Sequence, residues 1–271
     1  MSTIFVRNLE IGAGMPKIAV SIWGTTKEEI LLEAKDIVAA KADIVEWRAD
    51  RFQYTSTGEL IETLKELRAQ VGNMPLLFTL RTVNEGGHKD IPPLQYAQLI
   101  QKVVETGHID IIDVEIFIDV YDSWNSVAEL DTIERNNKHQ YTDNIIEHAK
   151  KYNTVVLGSN HNFNNTPTKE EIISRLSEIQ HYDVDIAKIA VMAHNKEDVL
   201  TLMAASIEMA EEGNHKPILT IAMGAVGKLS RICGEFSGSD ITFASIGHPS
   251  APGQIEIEEL KALLKLLHQQ T

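Results

Sequence analysis

The amino-acid sequence predicts an α/β fold, a (β/α)8 TIM barrel formed by one domain that spans residues 1–271. Eight short apolar runs recur along the chain, and segments with helical patterning lie between them. The runs are almost continuously apolar, which is typical of parallel strands covered on both faces. Eight strand–helix units in about 250 residues match the size of such a barrel. An open, doubly wound sheet is the alternative, but no Gly-x-Gly-x-x-Gly motif follows the first strand, which weakens this alternative.

The chain begins with an expected hairpin at residues 4–15, which has a Gly-rich turn and is predicted to close the barrel floor. The predicted barrel strands are 17–23, 43–49, 75–81, 109–117, 154–160, 186–192, 217–223 and 241–247. No Pro/Gly/Ser-rich linker interrupts this series, so we expect a single domain. Residues 119–140 make an unusually long connection after the fourth strand, and we interpret them as an exposed excursion without a chemical role.

Helical signals are clearest in four of the intervening segments, which are 26–41, 168–180, 196–212 and 256–268. Thr26 is a plausible N-cap, because acidic residues follow it in the first turn. Thr168 and Glu171 have the spacing of a capping box. The last segment carries a predicted core-facing stripe of Leu260, Leu263, Leu264 and Leu267.

Composition excludes several classes of protein. The formal net charge is −14, which argues against a nucleic-acid-binding protein, because such proteins usually carry a basic face. Cys233 is the only cysteine, so no intrachain disulfide is possible, and this fits a reducing, cytoplasmic location. The N-terminus lacks the pattern of a signal peptide. No apolar run approaches the roughly 18 residues of a membrane span.

One predicted strand, 186–192, carries a lysine in the middle of an apolar run. By strand alternation, Lys188 shares a face with Ile186, Ala190 and Met192, whereas the opposite face is fully apolar and suits packing against helices. An ammonium in apolar surroundings is costly unless it is paired, or neutral part of the time. Desolvation lowers the pKa of a lysine, and a neutral amine can attack a carbonyl. The alternative is a lysine that escapes to solvent at the strand end.

Further polar residues fall at the carboxyl ends of the predicted strands, where barrels of this kind place their functional groups. Glu46 and Arg48 have the parity opposite to Trp47, so we expect them to point into the barrel. His161 differs from the other histidines because it ends a strand of the same barrel as Lys188. Together these two residues predict an imine-forming amine and a proton shuttle. The remaining strand-end groups, which would bind carboxylate or hydroxyl groups, include Arg81, Arg231 and the stretch 250–254.

Other kinds of site are less well supported by the sequence. There is no His-x-His motif, no His-Glu-x-x-His motif and no cysteine cluster. Asp113 and Glu115 could hold a divalent ion, but the basic residues expected nearby favour ion pairing. Cys233 has no histidine at a recognisable spacing, and we interpret it as a small packed residue.

Six motifs, in order along the chain, resemble those of type I 3-dehydroquinate dehydratase, the shikimate-pathway enzyme. They are Glu46-Trp47-Arg48; Phe78-Thr79-Leu80-Arg81 with Glu85-Gly86-Gly87; Ser159-Asn160-His161-Asn162-Phe163 with Thr166-Pro167; Lys188-Ile189-Ala190-Val191-Met192; Leu229-Ser230-Arg231; and Ser250-Ala251-Pro252-Gly253-Gln254. The resemblance covers nearly the whole chain. Any one motif would be a weak signal, whereas six in order are specific.

The resemblance implies that the chain is a hydro-lyase that dehydrates 3-dehydroquinate to 3-dehydroshikimate. It implies that Lys188 forms a Schiff base, that His161 is the general acid/base and that Glu85 orients His161. The implied substrate contacts are Ser21, Glu46, Arg48, Arg81, Arg231, Ser250 and Gln254. It also implies a (β/α)8 barrel, a homodimer, no metal or cofactor, and a small-molecule substrate as the partner.

Two features depart from the family pattern. Asn162 stands directly after the histidine, where aspartate is typical, and an amide cannot stabilise an imidazolium as a carboxylate would. The connection 119–140 also exceeds the usual spacing and could alter a dimer contact. Two other functions stay open at this stage, which are another Schiff-base-forming barrel lyase and a non-catalytic sensor that has kept the pocket.

Overall fold

The computed structural model describes residues 3–119, 140–211, 216–249 and 251–268. In these residues a short hairpin precedes parallel strands that alternate with helices. The strands are β1 (Ile4–Val6), β2 (Leu9–Ile11), β3 (Lys17–Ile22), β4 (Ile44–Arg48), β5 (Leu76–Thr79), β6 (Ile111–Glu115), β7 (Val155–Asn162), β8 (Ile186–Met192), β9 (Ile218–Met223), β10 (Ile241–Ser245) and β11 (Ile255–Glu256). The helices are α1 (Lys27–Ala39), α2 (Thr57–Val71), α3 (Pro93–Glu105), α4 (Gln140–Lys151), α5 (Lys169–His181), α6 (Lys196–Glu211), α7 (Lys228–Ile232), α8 (Gly234–Ser237) and α9 (Ile257–Leu267).

The parallel strands β3 to β10 close into a barrel, as the sequence predicts. Each strand from β3 to β8 pairs with the next along the chain, and β10 pairs with β3. The seam between β9 and β10 is closed by a parallel bridge between Ile218 and Ser239. The Asp240 N–H donates to the Ile218 carbonyl at 2.8 Å, and the Ile218 N–H donates to the Asp240 carboxylate at 2.9 Å. This closure excludes the open doubly wound sheet.

Side chains on each strand alternate between the barrel interior and the layer of helices, because successive residues of a strand point to opposite faces. The interior holds an apolar cluster to which every strand from β3 to β10 contributes at least one inward residue. Its members include Ile44, Leu77, Ile111, Leu157 and Ile186. The outward residues pack against the helices in a second, larger cluster that includes Val45, Trp47, Ala187, Ile189 and Val191. Inward positions further along the strands are therefore the ones available for polar groups.

The N-terminal hairpin of β1 and β2 covers the amino-terminal end of the barrel, which confirms the predicted floor. Val6 and Ile11 are buried and belong to the interior cluster. At the hairpin turn, the Arg7 guanidinium donates to the Asp110 carboxylate at 2.6 Å and to the Asn73 side-chain oxygen at 2.7 Å. Because Asn73 precedes β5 and Asp110 precedes β6, these contacts fix the hairpin to the amino ends of the strands.

The helix boundaries follow the predicted capping residues. Thr26 caps α1 with Glu29 in a capping box, and Thr168 caps α5 with Glu171 in the same way. The predicted leucine stripe of α9 is only partly buried. Leu260 and Leu264 lie in the core, whereas Leu267 is 47% exposed because it stands in the last turn of the helix.

The predicted excursion at 119–140 can be followed only at its two ends. Residues 120–139 lie outside the described residues, and Gln140 is already the first residue of α4. Among the described helices, none combines the length and the apolar character that a membrane crossing requires.

Candidate active site

Lys188 points into the barrel interior, as strand parity predicts. Ile186 and Ala190 share its face and belong to the interior cluster, and Met192 packs against that cluster, whereas Ala187 packs outward against the helices. The residue is 5% exposed, so its amine does not reach open solvent. The alternative of a solvated strand lysine is therefore excluded.

The Lys188 ammonium is paired with a buried carboxylate. Its Nζ donates to Asp113 Oδ2 at 3.0 Å, and it lies 5.4 Å from the centre of the Phe243 ring. Asp113 also accepts from the Ser159 hydroxyl at 2.6 Å. Burial would raise the pKa of the Asp113 carboxyl, but the charges of Arg81 and Lys188 outweigh burial and hold that pKa below its ordinary value. The ion pair offsets the cost of burying the amine.

Arg81 organises the acidic groups beneath the cavity. Its Nη2 donates to Asp113 at 2.7 Å, and its Nη1 lies within 3.2 Å of Glu85, Glu115 and Ser159. The guanidinium is 3% exposed. These contacts confirm that Asp113 and Glu115 form ion pairs. Among the described residues, no group of three or more His, Cys, Asp or Glu side chains is placed to hold a metal ion.

His161 lies at the end of β7, and its ring orientation is set by a carboxylate. Its Nδ1 is 2.8 Å from Glu85 Oε2, while Asn160 donates to the other Glu85 oxygen at 2.8 Å. The Phe163 ring stacks near the imidazole, with centroids 6.3 Å apart and planes at 25°. Phe163 also packs on Gly86, where an added Cβ would lie 2.3 Å from the ring. The His161 ring is thus held between a hydrogen bond and a stacked aromatic.

The electrostatic surroundings keep His161 neutral. Burial lowers the pKa of the imidazole well below its ordinary value, and the charges of Arg81 and Lys188 lower it further. Burial and the neighbouring Glu115 carboxylate raise the pKa of Glu85. A neutral imidazole at neutral pH is the form that can remove a proton.

Arg231 offers donors that the rest of the described protein does not use. It is 2% exposed, and its Nη2 donates to the Pro252 carbonyl at 3.3 Å. Its Nε and Nη1 have no hydrogen-bond partner within the described residues. Burial lowers the pKa of this guanidinium to about 10. A buried cation with unused planar donors is suited to bind a carboxylate.

The opposite wall of the cavity carries two separately held polar groups. Glu46 accepts a short hydrogen bond from the Ser21 hydroxyl and a second one from Thr79 at 2.8 Å. The Arg48 guanidinium does not pair with Glu46, since it donates through Nε and Nη2 to the two oxygens of Asp50 at 2.7 and 2.9 Å. Asp50 is therefore a supporting residue that the sequence did not assign to the site.

These groups surround one cavity at the carboxyl end of the strands. Its lining consists of Ser21, Glu46, Arg48, Thr79, Arg81, His161, Phe163, Lys188, Ala190, Ile221, Met223, Arg231, Phe243, Ala251 and Gln254. Glu85, which was predicted for the site, does not line the cavity itself, but it contacts His161, which does. Ser250 lies outside the described residues.

Several apolar lining residues were missed by the sequence analysis. Ile221, Met223 and Phe243 share the inward parity of β9 and β10, and that parity is the signal that could have identified them. A second cavity, with a volume of about 600 Å³, lies between Gly12, Cys233 and His268. It contains neither lysine nor arginine and none of the predicted site residues.

Asn162 does not face His161, although the two residues are adjacent in the chain. Its side-chain oxygen accepts from the backbone N–H groups of Asn164 at 2.9 Å and Asn165 at 3.1 Å. The residue has the outward parity of β7 and shapes the turn that follows the strand. An amide oxygen can accept these two bonds as a carboxylate would, so the expectation of a weakened imidazolium has no geometric basis here.

Comparison with known proteins adds the family context. Residues 18–271 match the family model of type I 3-dehydroquinase. The chain is 42% identical over 264 residues to the 3-dehydroquinate dehydratase of Clostridioides difficile (strain 630), covering 97% of this chain and 96% of that protein.

Solved structures with related sequences share the fold. The crystal structure of the type I 3-dehydroquinate dehydratase from Clostridium difficile with covalent modified comenic acid superposes with a TM-score of 0.88 at 42% identity, covering 98% of each chain. The 3-dehydroquinate dehydratase from Geobacillus kaustophilus HTA426 superposes with a TM-score of 0.87 at 31% identity, covering 98% of this chain and 96% of that one.

Proposed function

The chain belongs to the type I 3-dehydroquinase family, and we propose that it dehydrates 3-dehydroquinate to 3-dehydroshikimate in the shikimate pathway. The protein is accordingly a hydro-lyase. We assign Schiff-base formation to Lys188 and general acid/base catalysis to His161. The observation that carries this assignment is that a buried amine, a buried imidazole and a guanidinium with unused donors, Arg231, line one cavity.

The first step is condensation of the Lys188 amine with the C3 ketone of the substrate. The ammonium gives up a proton to the carbonyl oxygen as the neutral amine attacks the carbonyl carbon. A second proton passes from nitrogen to the same oxygen, which leaves as water, and the product is a protonated imine. The Asp113 carboxylate, 3.0 Å from Nζ in the free protein, would then face the positive charge of the imine. Because the pKa of Asp113 is held low, this carboxylate stays ionised and stabilises that charge.

His161 then moves one proton twice. The protonated imine withdraws electrons and acidifies the C2 proton, which neutral His161 removes to give an enamine. The enamine expels the C1 hydroxyl, and the imidazolium returns the proton to the leaving oxygen. Water hydrolyses the imine, which frees the product and the amine, so the net change is the loss of one water. A positioned acid/base of this kind contributes about 10²–10⁴-fold to the rate.

The surrounding residues would hold the substrate in register with the amine. We assign the substrate carboxylate to Arg231 and Gln254, with Ser250 as a further expected contact. We assign the ring hydroxyls to the wall formed by Ser21, Glu46 and Arg48. Arg81 lines the same cavity, but four acceptors already hold its guanidinium, so its first effect is to order Asp113 and Glu85.

Reductive trapping tests the chemistry. Borohydride added with 3-dehydroquinate should raise the intact mass by one reduced adduct, and peptide mapping should place the adduct on Lys188. Turnover should also produce the ultraviolet absorbance of the conjugated product. A different Schiff-base lyase would fail to generate that absorbance, and a non-catalytic sensor would form no product. An unmodified Lys188 in the wild-type protein would refute the scheme.

A Lys188→Ala variant with a Lys169→Ala control sharpens this test. Lys169 is a surface residue at the start of α5 that pairs with Glu208 at 2.7 Å and does not line the cavity. Loss of the amine should abolish trapping and slow turnover on the order of 10⁴-fold or more, because the reaction loses its tethered nucleophile. The control should match the wild type in both measurements.

The proposal includes a homodimer of single-domain chains that works in the cytoplasm without metal or cofactor. Light scattering after size-exclusion chromatography tests the dimer. Activity that is unchanged by exhaustive chelation tests the independence from metal.

A further inference from the structure

We propose that Asp50 is a positioning residue that presets the Arg48 guanidinium and fixes the loop that carries Glu85 beside His161. This inference rests on the proposed function and extends it to a residue that does not line the cavity. Asp50 stands two residues after β4 and is 4% exposed. Both of its carboxylate oxygens face donors from two different parts of the site.

The first part is Arg48. Its Nε lies 2.7 Å from Asp50 Oδ1 and its Nη2 lies 2.9 Å from Oδ2. This paired geometry fixes the plane of the guanidinium as well as its position. The Trp23 ring lies 4.9 Å from the Arg48 guanidinium carbon and adds a cation–π contact. Arg48 is thus held in one orientation before any substrate arrives.

The second part is the loop between β5 and α3. Asp50 Oδ1 accepts from the Arg81 N–H at 3.4 Å, at the start of this loop. Asp50 Oδ2 accepts from the His88 N–H at 3.2 Å and lies 3.3 Å from His88 Nδ1. One carboxylate therefore ties together the two ends of the segment that contains Glu85.

The His88 side chain extends the network outward, and its hydrogen-bonding roles can be assigned. His88 Nε2 lies 3.0 Å from Arg51 Nη1, and a guanidinium can only donate. Nε2 is therefore the acceptor in this contact, so the proton of the neutral ring is on Nδ1 and points at Asp50. Arg51 also lies 4.3 Å from the centre of the Trp23 ring, so the network closes on itself.

An isosteric amide could not replace the Asp50 carboxylate. All the hydrogen-bonding groups that face its two oxygens are donors, and an amide has only one acceptor oxygen. In either orientation its NH₂ group would face an Arg48 donor, together with the Arg81 N–H or the His88 donors. Burial would raise the pKa of the Asp50 carboxyl, but the hydrogen bond and charge of Arg48 outweigh burial and lower it, so the ionised form persists at neutral pH.

The test compares Asp50→Asn with the wild type in two backgrounds. In the otherwise native protein, the substitution should raise KM about tenfold, because a charge-assisted contact to Arg48 is lost, and it should also lower kcat through the loop. In an Arg48→Ala background, the same substitution should leave KM nearly unchanged but should still lower kcat. Asp50→Glu, which keeps a carboxylate, should reverse part of this rise in KM.

Asp43→Asn is the matched control for a general effect on folding. Asp43 is also a carboxylate next to β4, and it accepts from the Ile18 N–H at 2.7 Å, but it lies at the opposite, amino-terminal end of the strand. This control should keep the wild-type KM. Stoichiometric imine trapping at saturating substrate should show that the Asp50 variant keeps an intact Lys188.

The outcomes separate the inference from the function on which it rests. If the wild type traps substrate but Asp50→Asn has the wild-type KM, or raises KM equally with and without Arg48, the positioning role of Asp50 is overturned. A variant that only loses thermal stability and trapping stoichiometry overturns it as well, since that pattern is structural. A wild type that forms no imine overturns both proposals.

Discussion

Lys188 Nζ and Asp113 Oδ2 lie 3.0 Å apart in the barrel interior, and both side chains are almost fully buried. The same Asp113 oxygen also accepts from Arg81 at 2.7 Å, so one carboxylate faces two cations. In the proposed reaction the Lys188 nitrogen carries a positive charge both as an ammonium and as a protonated imine. Asp113 is placed to stabilise both forms, and this makes it the most informative residue to alter after the lysine.

Asp113→Asn should impair stability and imine formation together. The substitution leaves Lys188 and Arg81 without their shared anion, and removing one partner of a buried ion pair costs roughly 3–5 kcal/mol. We expect the free energy of unfolding in urea to fall by about this amount, and rapid-quench trapping to show slower imine formation. Asp110→Asn, which breaks ion pairs with Arg7 and Arg68 at the floor, should lower stability but leave the trapping rate unchanged. Equal trapping rates in both variants would argue against a role for Asp113 in the chemistry.

His161→Ala should separate imine formation from proton transfer. We expect kcat to fall by about 10²–10⁴-fold, while borohydride still traps the substrate on Lys188. His148 of α4 lies 3.1 Å from Glu105 of α3 and provides the control. The His148→Ala variant should keep the wild-type kcat. Loss of trapping in His161→Ala would instead indicate that the imidazole acts before the imine forms.

The pH dependence of the wild type follows from the same residue. Because burial and the charges of Arg81 and Lys188 lower the pKa of His161, the base form persists as the pH falls, and the acid limb of the kcat profile should lie below pH 6.5. The free energy of unfolding should also depend on this histidine. The unfolded chain takes up a proton on this histidine at a higher pH than the folded protein does, so stability falls as the pH drops below the ordinary histidine value.

Asn162→Asp should leave catalysis nearly unchanged. The native side-chain oxygen accepts two backbone hydrogen bonds in the turn after β7, and a carboxylate oxygen can accept the same bonds. We expect kcat to stay within about twofold of the wild type and the acid limb of its pH profile to keep its position. Asn162→Ala should lose about 1–3 kcal/mol of stability, because the turn loses its acceptor. A clear shift of the acid limb in Asn162→Asp would show that residue 162 does influence the imidazole.

Asp240 should make the barrel seam sensitive to pH. Burial raises the pKa of its carboxyl from 3.8 to about 6, while its oxygen accepts from Ile218 across the seam. A raised folded-state pKa favours folding at low pH, and this contribution is lost as the pH rises from about 4 to 7, amounting to about 3 kcal/mol. Asp240→Asn keeps an acceptor but cannot ionise, so its stability relative to the wild type should increase over that range.

Urea unfolding at several pH values would measure this difference. Asp185→Asn is the control, because Asp185 also accepts from a strand backbone, at 2.7 Å from Val156 N, but has Lys150 as a partner. A wild type and an Asp240→Asn variant with parallel stability profiles would contradict the prediction.

The extent to which the sequence predicts this protein differs between its backbone and its site. Strand parity correctly places Lys188, Glu46 and Arg48 inside the barrel, because alternation along a strand is a local property. The N-cap at Thr26 and the capping box at Thr168 are also local, and the structure confirms both. The stripe on α9 is less well predicted, because the position where the helix leaves the core is set by its neighbours and not by its own period.

Which side chains pair with each other could not be derived from the sequence. The partner of Arg48 is Asp50 and not Glu46, and the partner of Lys188 is Asp113, which comes from two strands away. Both choices depend on side-chain geometry after the barrel has closed. Asn162 illustrates the opposite error, since its position beside His161 in the chain suggested a contact that the outward parity of the strand prevents.

The ion pairs beneath the cavity join the two halves of the chain. The acids Glu85, Asp113 and Glu115 and the cation Arg81 come from strands and loops in the first half of the chain, whereas Lys188, His161 and Arg231 come from the second. A fragment of either half would keep charged groups whose counterparts had been left behind in the other piece. The two halves are therefore interdependent. If they are produced as separate fragments, each should be insoluble, and turnover should return only when the two are refolded together.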